Sequence, residues 1–419
     1  MTLVMIVIFG ILLALAFPVG YALIISSGAA VMTLGSVPTV IAVVKLFQPT
    51  QSFPLLAIPF FILSGALMMS GTLGQKLVRF AAALVGRFHG GLAQVAVVGS
   101  TIFGGVSGSA VAEASALGSM LIPWQKREGY PAAFGAAATA SSSVIAGLIP
   151  PSIPLILYAA VSNASIASLF LAGILPGLML AGGMMIVCYF SGRLRGFPLL
   201  KDSITLRDFL RITFGAMPAL LMPAFILVLL RFGIATPTEV SVIAVAYALV
   251  VSAVIYRDIT IKRLYAALVG TVITTGVVML VIAASNLVGH VLITESIPTT
   301  VANYAQAVLK EPFLIILAMN LIMLVVGMFL DLPAAILLLG PTFVAVSHSI
   351  GLDPIQLGIM MAVNLSIGLF TPPIGTTLFV SAAISREPIG AIVKELWPFY
   401  LVGIVVLLLV SYVPATILY

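Results

Sequence analysis

The sequence predicts an all-α polytopic membrane protein with about ten spanning helices and two re-entrant hairpins, in two inverted-topology repeats. Three observations carry this. The 419-residue chain is 62% hydrophobic and 7% charged, whereas soluble domains carry about 25% charged residues. Its apolar stretches reach the roughly 20 residues that a bilayer crossing needs. A double proline inside an apolar run also occurs twice, at Pro150–Pro151 and Pro372–Pro373. The net charge of +6 marks cytoplasmic loops rather than a nucleic-acid partner. A single cysteine, Cys188, excludes an intrachain disulfide.

The first charged residue is Lys45, so residues 1–25 lack the basic start of a cleavable signal peptide and are expected to stay as a first span. Further spans are expected near 27–46, 53–72, 133–161, 166–190, 213–231, 235–256, 264–291, 357–384 and 397–418, the first running over 3–25. The stretches 92–123 and 313–347 differ. Gly104, Gly105 and Gly108 break the first, and Gly327 and Pro333 break the second. Each half is expected to be too short to cross, which predicts two hairpins returning to their own side. Two ordinary spans per stretch are the alternative and keep the same parity.

Charge orients this arrangement. Of the 18 Lys and Arg residues, all but Lys45, Arg231 and Lys310 fall on one face, as expected of cytoplasmic loops. Both termini then lie outside. The basic stretch 191–211, with Lys201 within it, is expected as an amphipathic cytoplasmic connector, and 292–312 as the longest external loop.

The repeat rests on spacing. "GLIPPSIP" and "LFTPPIGT" place their prolines 222 positions apart, and that offset also pairs Gly105 with Gly327, Ala112 with Ala334 and Gly118 with Gly340. It sets Ser109 against Asp331 and Ser142 against Asn364, polar on polar. Five expected spans separate the hairpins, and an odd number inverts the second unit.

A helix broken in mid-membrane frees carbonyls on one side of the break and N–H groups on the other. Carbonyl and hydroxyl oxygens suit a hard cation such as Na⁺, and helix N-termini suit a carboxylate. Polar residues gather at these breaks. The candidate cation ligands are Gly105, Ser107, Ser142, Ser143 and Ile149 in one half, and Gly327, Asp331, Asn364 and Thr371 in the other. Ser107, Ser109, Ser152, Asp331 and Thr376 are the candidate substrate contacts. Two clusters imply two or more Na⁺. A serine here can instead bond its own i−4 carbonyl, and Glu113 can serve as a cap or a helix contact. A carboxylate such as Asp331 at membrane depth is costly and marks function. No Lys or Arg occurs in 88–125, 133–161, 313–347 or 357–384. An acidic substrate there must be balanced by bound cations and helix dipoles, which favours cation-coupled symport.

"GGVSGSAVAEASALGSMLIP", "SSSVIAGLIPPSIPLILYA" and "LFTPPIGTTLFV" resemble the large membrane subunit (DctM-type) of tripartite ATP-independent periplasmic (TRAP) transporters, and the resemblance runs along essentially the whole chain. It implies a Na⁺-driven symporter of the bacterial inner membrane that imports carboxylates such as sialic acid or C4-dicarboxylates. It implies two partners, a four-helix small membrane subunit, expected here as a separate chain, and a soluble periplasmic binding protein. It also implies an elevator mechanism. Scaffold helices would then occupy 1–72, 162–291 and 397–418, and the moving hairpin and broken-helix units 88–161 and 313–384. A stand-alone transporter or antiporter with a similar repeat is the alternative. An intramembrane enzyme is disfavoured, since "GVSGSA" has no nearby His or Lys and the chain has no nucleotide loop.

Overall fold

The computed structural model describes residues 2–418 apart from 16, 35–38, 70 and 201–204. Among the described residues there is no strand. The first helices are α1 (Thr2–Ala14), α2 (Val19–Leu34), α3 (Thr39–Phe47), α4 (Ala57–Met69) and α5 (Leu73–Val85). A hairpin follows, α6 (Gly91–Ser107) and α7 (Ala110–Arg127), then a broken helix, α8 (Ala132–Ser142) and α9 (Ile153–Ser162). Next come α10 (Ile166–Leu194), α11 (Leu206–Arg231), α12 (Pro237–Val250), α13 (Ile261–Thr294) and α14 (Ile297–Leu309). The hairpin α15 (Pro312–Gly327) and α16 (Leu332–Ile350) precedes a second broken helix, α17 (Pro354–Gly368) and α18 (Thr376–Ser385). The last helix is α19 (Ile389–Tyr412).

Among the described residues, six helices are long and apolar enough to cross a membrane by themselves: α10, α11, α12 with its extension to Ile255, α13, α16 and α19. Local signals explain their starts. Ser165, Thr205 and Thr260 each accept a hydrogen bond from the backbone three residues on, and Thr236 with Glu239 forms a capping box.

Several expectations give way. One span over 3–25 is replaced by α1 and α2, because Pro18 brings no N–H and disfavours helix at Phe17. The expected span 27–46 is divided between α2 and α3. Of the basic stretch 191–211, the residues up to Leu194 belong to α10 and those from Leu206 to α11, which the Thr205 cap starts. Lys201 lies outside the described residues. The expected loop 292–312 holds α14, which opens with Pro298 in its first turn and buries Pro298 and Ala302 on one face. Finally, α16 has 19 residues, so not every hairpin arm is too short to span.

The broken helices lie inside. Every residue from Phe134 to Ala159 is buried, so protein rather than lipid covers the first interrupted backbone, whereas in the second half burial runs from Ile355 to Phe370 and the break itself reaches the surface at Pro373 and Ile374. Around them, the two hairpins open at opposite ends of α10. Gln125 donates to the Leu92 carbonyl (2.9 Å), holding the arms of the first hairpin together, and the Tyr130 hydroxyl donates to the carbonyl of Pro198, just past Leu194. The second hairpin ends at Ile350. There the Tyr158 hydroxyl donates to the Pro354 carbonyl (2.6 Å), and Gly358 lies against both Tyr158 and Leu169, in the first turn of α10. The long helix α13 is anchored at both ends. The Thr2 amide donates to Glu295 (2.9 Å) and the Thr72 hydroxyl to Asp258 (2.9 Å). Its 34 residues set these anchors about 50 Å apart.

Candidate functional site

Each hairpin tip rests on the break of its own half. At the first tip the chain turns at Gly108, with φ at +60°, a region that glycine enters freely. The tip lies against the Pro150–Pro151 backbone, and a β-carbon on Gly105 would stand 3.4 Å from the Pro150 carbonyl oxygen. At the second tip the Ile374 amide donates to the Met328 carbonyl (3.2 Å), and Gly327 packs on Leu365. Both double prolines contain a cis peptide bond.

The two breaks also touch each other. The Thr377 hydroxyl, at the start of α18, lies 3.1 Å from the Ala140 carbonyl near the end of α8, and 2.9 Å from the Leu369 carbonyl. A β-carbon on Gly147 would stand 3.2 Å from Ser366 Oγ. The second arms pack crosswise. Gly118 of α7 faces Ile384 at the end of α18, and Gly340 of α16 faces Val161 at the end of α9. Gly118 and Gly340, paired by the 222-residue offset, thus make equivalent contacts.

The expected residues divide by what their polar atoms do. Ser143 donates to the Ala140 carbonyl (3.0 Å) and Thr371 to the Ile367 carbonyl (2.7 Å), so both hydroxyls serve their own helices. Ser152 donates to the Gly147 carbonyl (2.6 Å) and caps α9 by accepting from Leu155. It thereby ties across the first break. Ser107 is buried at the tip, and its oxygen faces the Ser109 amide at 3.5 Å. Ser109 caps α7. Ile149 is buried, its side chain against Gly177. Thr376 opens α18 with a buried hydroxyl that has no partner.

The two aligned positions play matching parts. Ser142 accepts from Ser100 of α6 (3.0 Å), and the Asn364 amide donates to the backbone and side-chain oxygens of Asn320 on α15 (both 2.9 Å). Each ties the first part of its broken helix to the first arm of its hairpin. The Asn364 side-chain oxygen and the Ser366 hydroxyl remain without hydrogen-bond partners inside the protein. Such buried oxygens are unusual and are suited to a hard cation.

Asp331 lies at the surface of the chain. It stands at the start of α16, makes no capping hydrogen bond, and its side chain is exposed. The Thr376 hydroxyl lies beside it, but the geometry is not that of a hydrogen bond. The buried carboxyl of this region is instead Glu113, fully enclosed. Ser100 and Asn320 were not among the expected site residues. For Asn320 the signal is a lone polar residue in an otherwise apolar first arm, "ILAMNLIM"; Ser100, beside Thr101 in "AVVGSTIF", carries no such signal.

Comparison with known proteins supplies the family. The family model described as "Tripartite ATP-independent periplasmic transporter, DctM component" matches residues 6–416. The chain belongs to this family of TRAP large permeases. It is 51% identical to the protein y4mL of Sinorhizobium fredii over all of both chains. It is 38% identical to the C4-dicarboxylate TRAP large permease protein DctM of Pseudomonas aeruginosa, covering 93% of this chain and 91% of that one. It is 35% identical to the sialic acid TRAP large permease protein SiaM of Vibrio cholerae, covering 96% and 94%. Among solved structures, the Alcanivorax borkumensis YdaH transporter superposes with a TM-score of 0.60 at 16% identity, over 87% of this chain and 85% of that one. That likeness shows the fold alone. The TRAP family and the six long apolar helices make this a multi-pass membrane transport protein.

Proposed function

We propose that this TRAP large permease is the membrane subunit of a Na⁺-coupled symporter that imports a small carboxylate across the bacterial inner membrane. The junction of the two breaks carries the reading. Backbone carbonyls, the partnerless oxygens of Asn364, Ser366 and Thr376, and the starts of α7, α9, α16 and α18 gather in one region, and no Lys or Arg occurs in the stretches that build it. Oxygens suit Na⁺, and helix starts suit a carboxylate. At least two Na⁺ are proposed, one per half. The first would use Gly105, Ser107, Ser142 and Ile149, and the second Gly327, Asn364 and Asp331. Ser109, Ser152 and Thr376 would face the acid between them.

The acid class draws on relatives named for C4-dicarboxylate, sialic acid and 2,3-diketo-L-gulonate transport. By analogy with their family, a periplasmic binding protein delivers the acid and a small four-helix subunit completes the membrane unit. The opposed openings of the hairpins support two inverted repeats, with both termini periplasmic and the hairpin units moving as an elevator against α10–α13. The test is uptake of a panel of acids into vesicles holding both membrane subunits, with loaded binding protein outside. Uptake driven by a Na⁺ gradient and lost when K⁺ replaces Na⁺ supports the reading. Equal uptake in K⁺, or full uptake by this chain alone, overturns it.

A further inference from the structure

Glu113 is fully buried, and both of its carboxyl oxygens lack a hydrogen-bond partner. Either charge state leaves it incomplete. An ionised carboxylate without a counter-charge is among the costliest groups to bury, and a neutral carboxyl needs an acceptor for its proton. The stretches 88–125, 133–161 and 357–384 contain no Lys or Arg to pair with it. Oxygens are at hand instead. The Ser100 hydroxyl stands beside the carboxyl without closing a hydrogen bond, and Ser100 Oγ lies 3.0 Å from Ser142 Oγ, which lies 3.4 Å from the Thr139 carbonyl. The Glu113 carboxylate on α7 and the Ser100 hydroxyl on α6 are oxygens of the kind that take a hard cation, and Ser142 of the first site lies between this pair and the first break.

We propose that Glu113 and Ser100 form a third monovalent-cation site, occupied by Na⁺, beside the two at the breaks. It rests on the symport reading and adds to it. The repeat supports its separateness, because the 222-residue offset sets Glu113 against Ala335 and Ser100 against Ile322. The second half therefore has no counterpart, and the cation count is odd rather than one per repeat.

Equilibrium ²²Na⁺ binding to the purified chain with its small subunit tests this, together with the Na⁺ dependence of uptake. Glu113→Gln keeps the shape and removes the charge. The site predicts one Na⁺ fewer per chain, a shallower Na⁺ dependence of uptake and a half-saturating Na⁺ concentration raised at least tenfold. Unchanged Na⁺ count and affinity in Glu113→Gln overturns the site. If that variant fails to fold, Ser100→Ala decides: a severalfold rise in half-saturating Na⁺ upholds the site, and an unchanged value overturns it. Na⁺-independent uptake by the wild-type complex would overturn the symport reading itself, whatever Glu113 does.

Discussion

Gly147, inside the first break, faces Ser366, which precedes the second: a β-carbon on Gly147 would stand 3.2 Å from the Ser366 hydroxyl oxygen. Two segments 219 positions apart in sequence therefore share one boundary. Whatever binds at one break adjoins the other, and one side chain added here acts on both.

Substitution at Gly147 tests that boundary. A methyl group is tight but tolerable if the Ser366 hydroxyl yields by a few tenths of an ångström. A leucine has no such room, and overpacking costs about 1–3 kcal/mol. Uptake is expected to fall severalfold in Gly147→Ala and more than tenfold in Gly147→Leu, while both variants stay folded in membranes. Normal uptake by Gly147→Leu would separate the breaks functionally.

Asn364 links α17 to α15 through two hydrogen bonds. Asn364→Ala removes both and empties a buried position, so a loss of about 1–3 kcal/mol in stability is expected, with reduced uptake. Ser143→Ala is the contrast. Its hydroxyl bonds only the Ala140 carbonyl of its own helix, so near-normal stability and uptake are expected. A tenfold loss of uptake in Ser143→Ala would return Ser143 to the cation site. Thermal unfolding and vesicle uptake measure both variants.

Asp331 is exposed and makes no cap hydrogen bond, so Asp331→Ala forfeits only its interaction with the start of α16, worth about 0.3–1 kcal/mol. A strong loss of uptake with little loss of stability then assigns Asp331 to the transported species. Uptake within twofold of wild type would remove it from the site.

Much of this was legible in the sequence because it lies in spacing and in residue types with few uses. The 222-residue offset identified Gly118 and Gly340 as a pair, and both meet the end of the opposite half's broken helix. It likewise paired Ser142 with Asn364, each of which ties a broken helix to its own hairpin. Depth and partnership were not legible. Asp331 and Glu113 are both acids near a hairpin tip, yet one is exposed and the other enclosed, because burial depends on which helix packs over each. The first two spans were misdrawn for a local reason: hydropathy runs smoothly through Phe17–Pro18, whereas the backbone breaks there. The helix α14 was hidden by the opposite effect, since a short helix with one buried face carries too few apolar residues to resemble a span.

The central claim is that the joined breaks hold Na⁺, and thermal unfolding of the detergent-purified chain in NaCl against KCl at equal ionic strength tests it most directly. A ligand that binds only the folded state raises its stability, by about 2.7 kcal/mol at 100 times its Kd. The account predicts a midpoint that climbs with Na⁺ and not with K⁺, and a Na⁺ response reduced in Gly147→Leu. Equal midpoints in the two salts, or a Na⁺ response undiminished in Gly147→Leu, would contradict it.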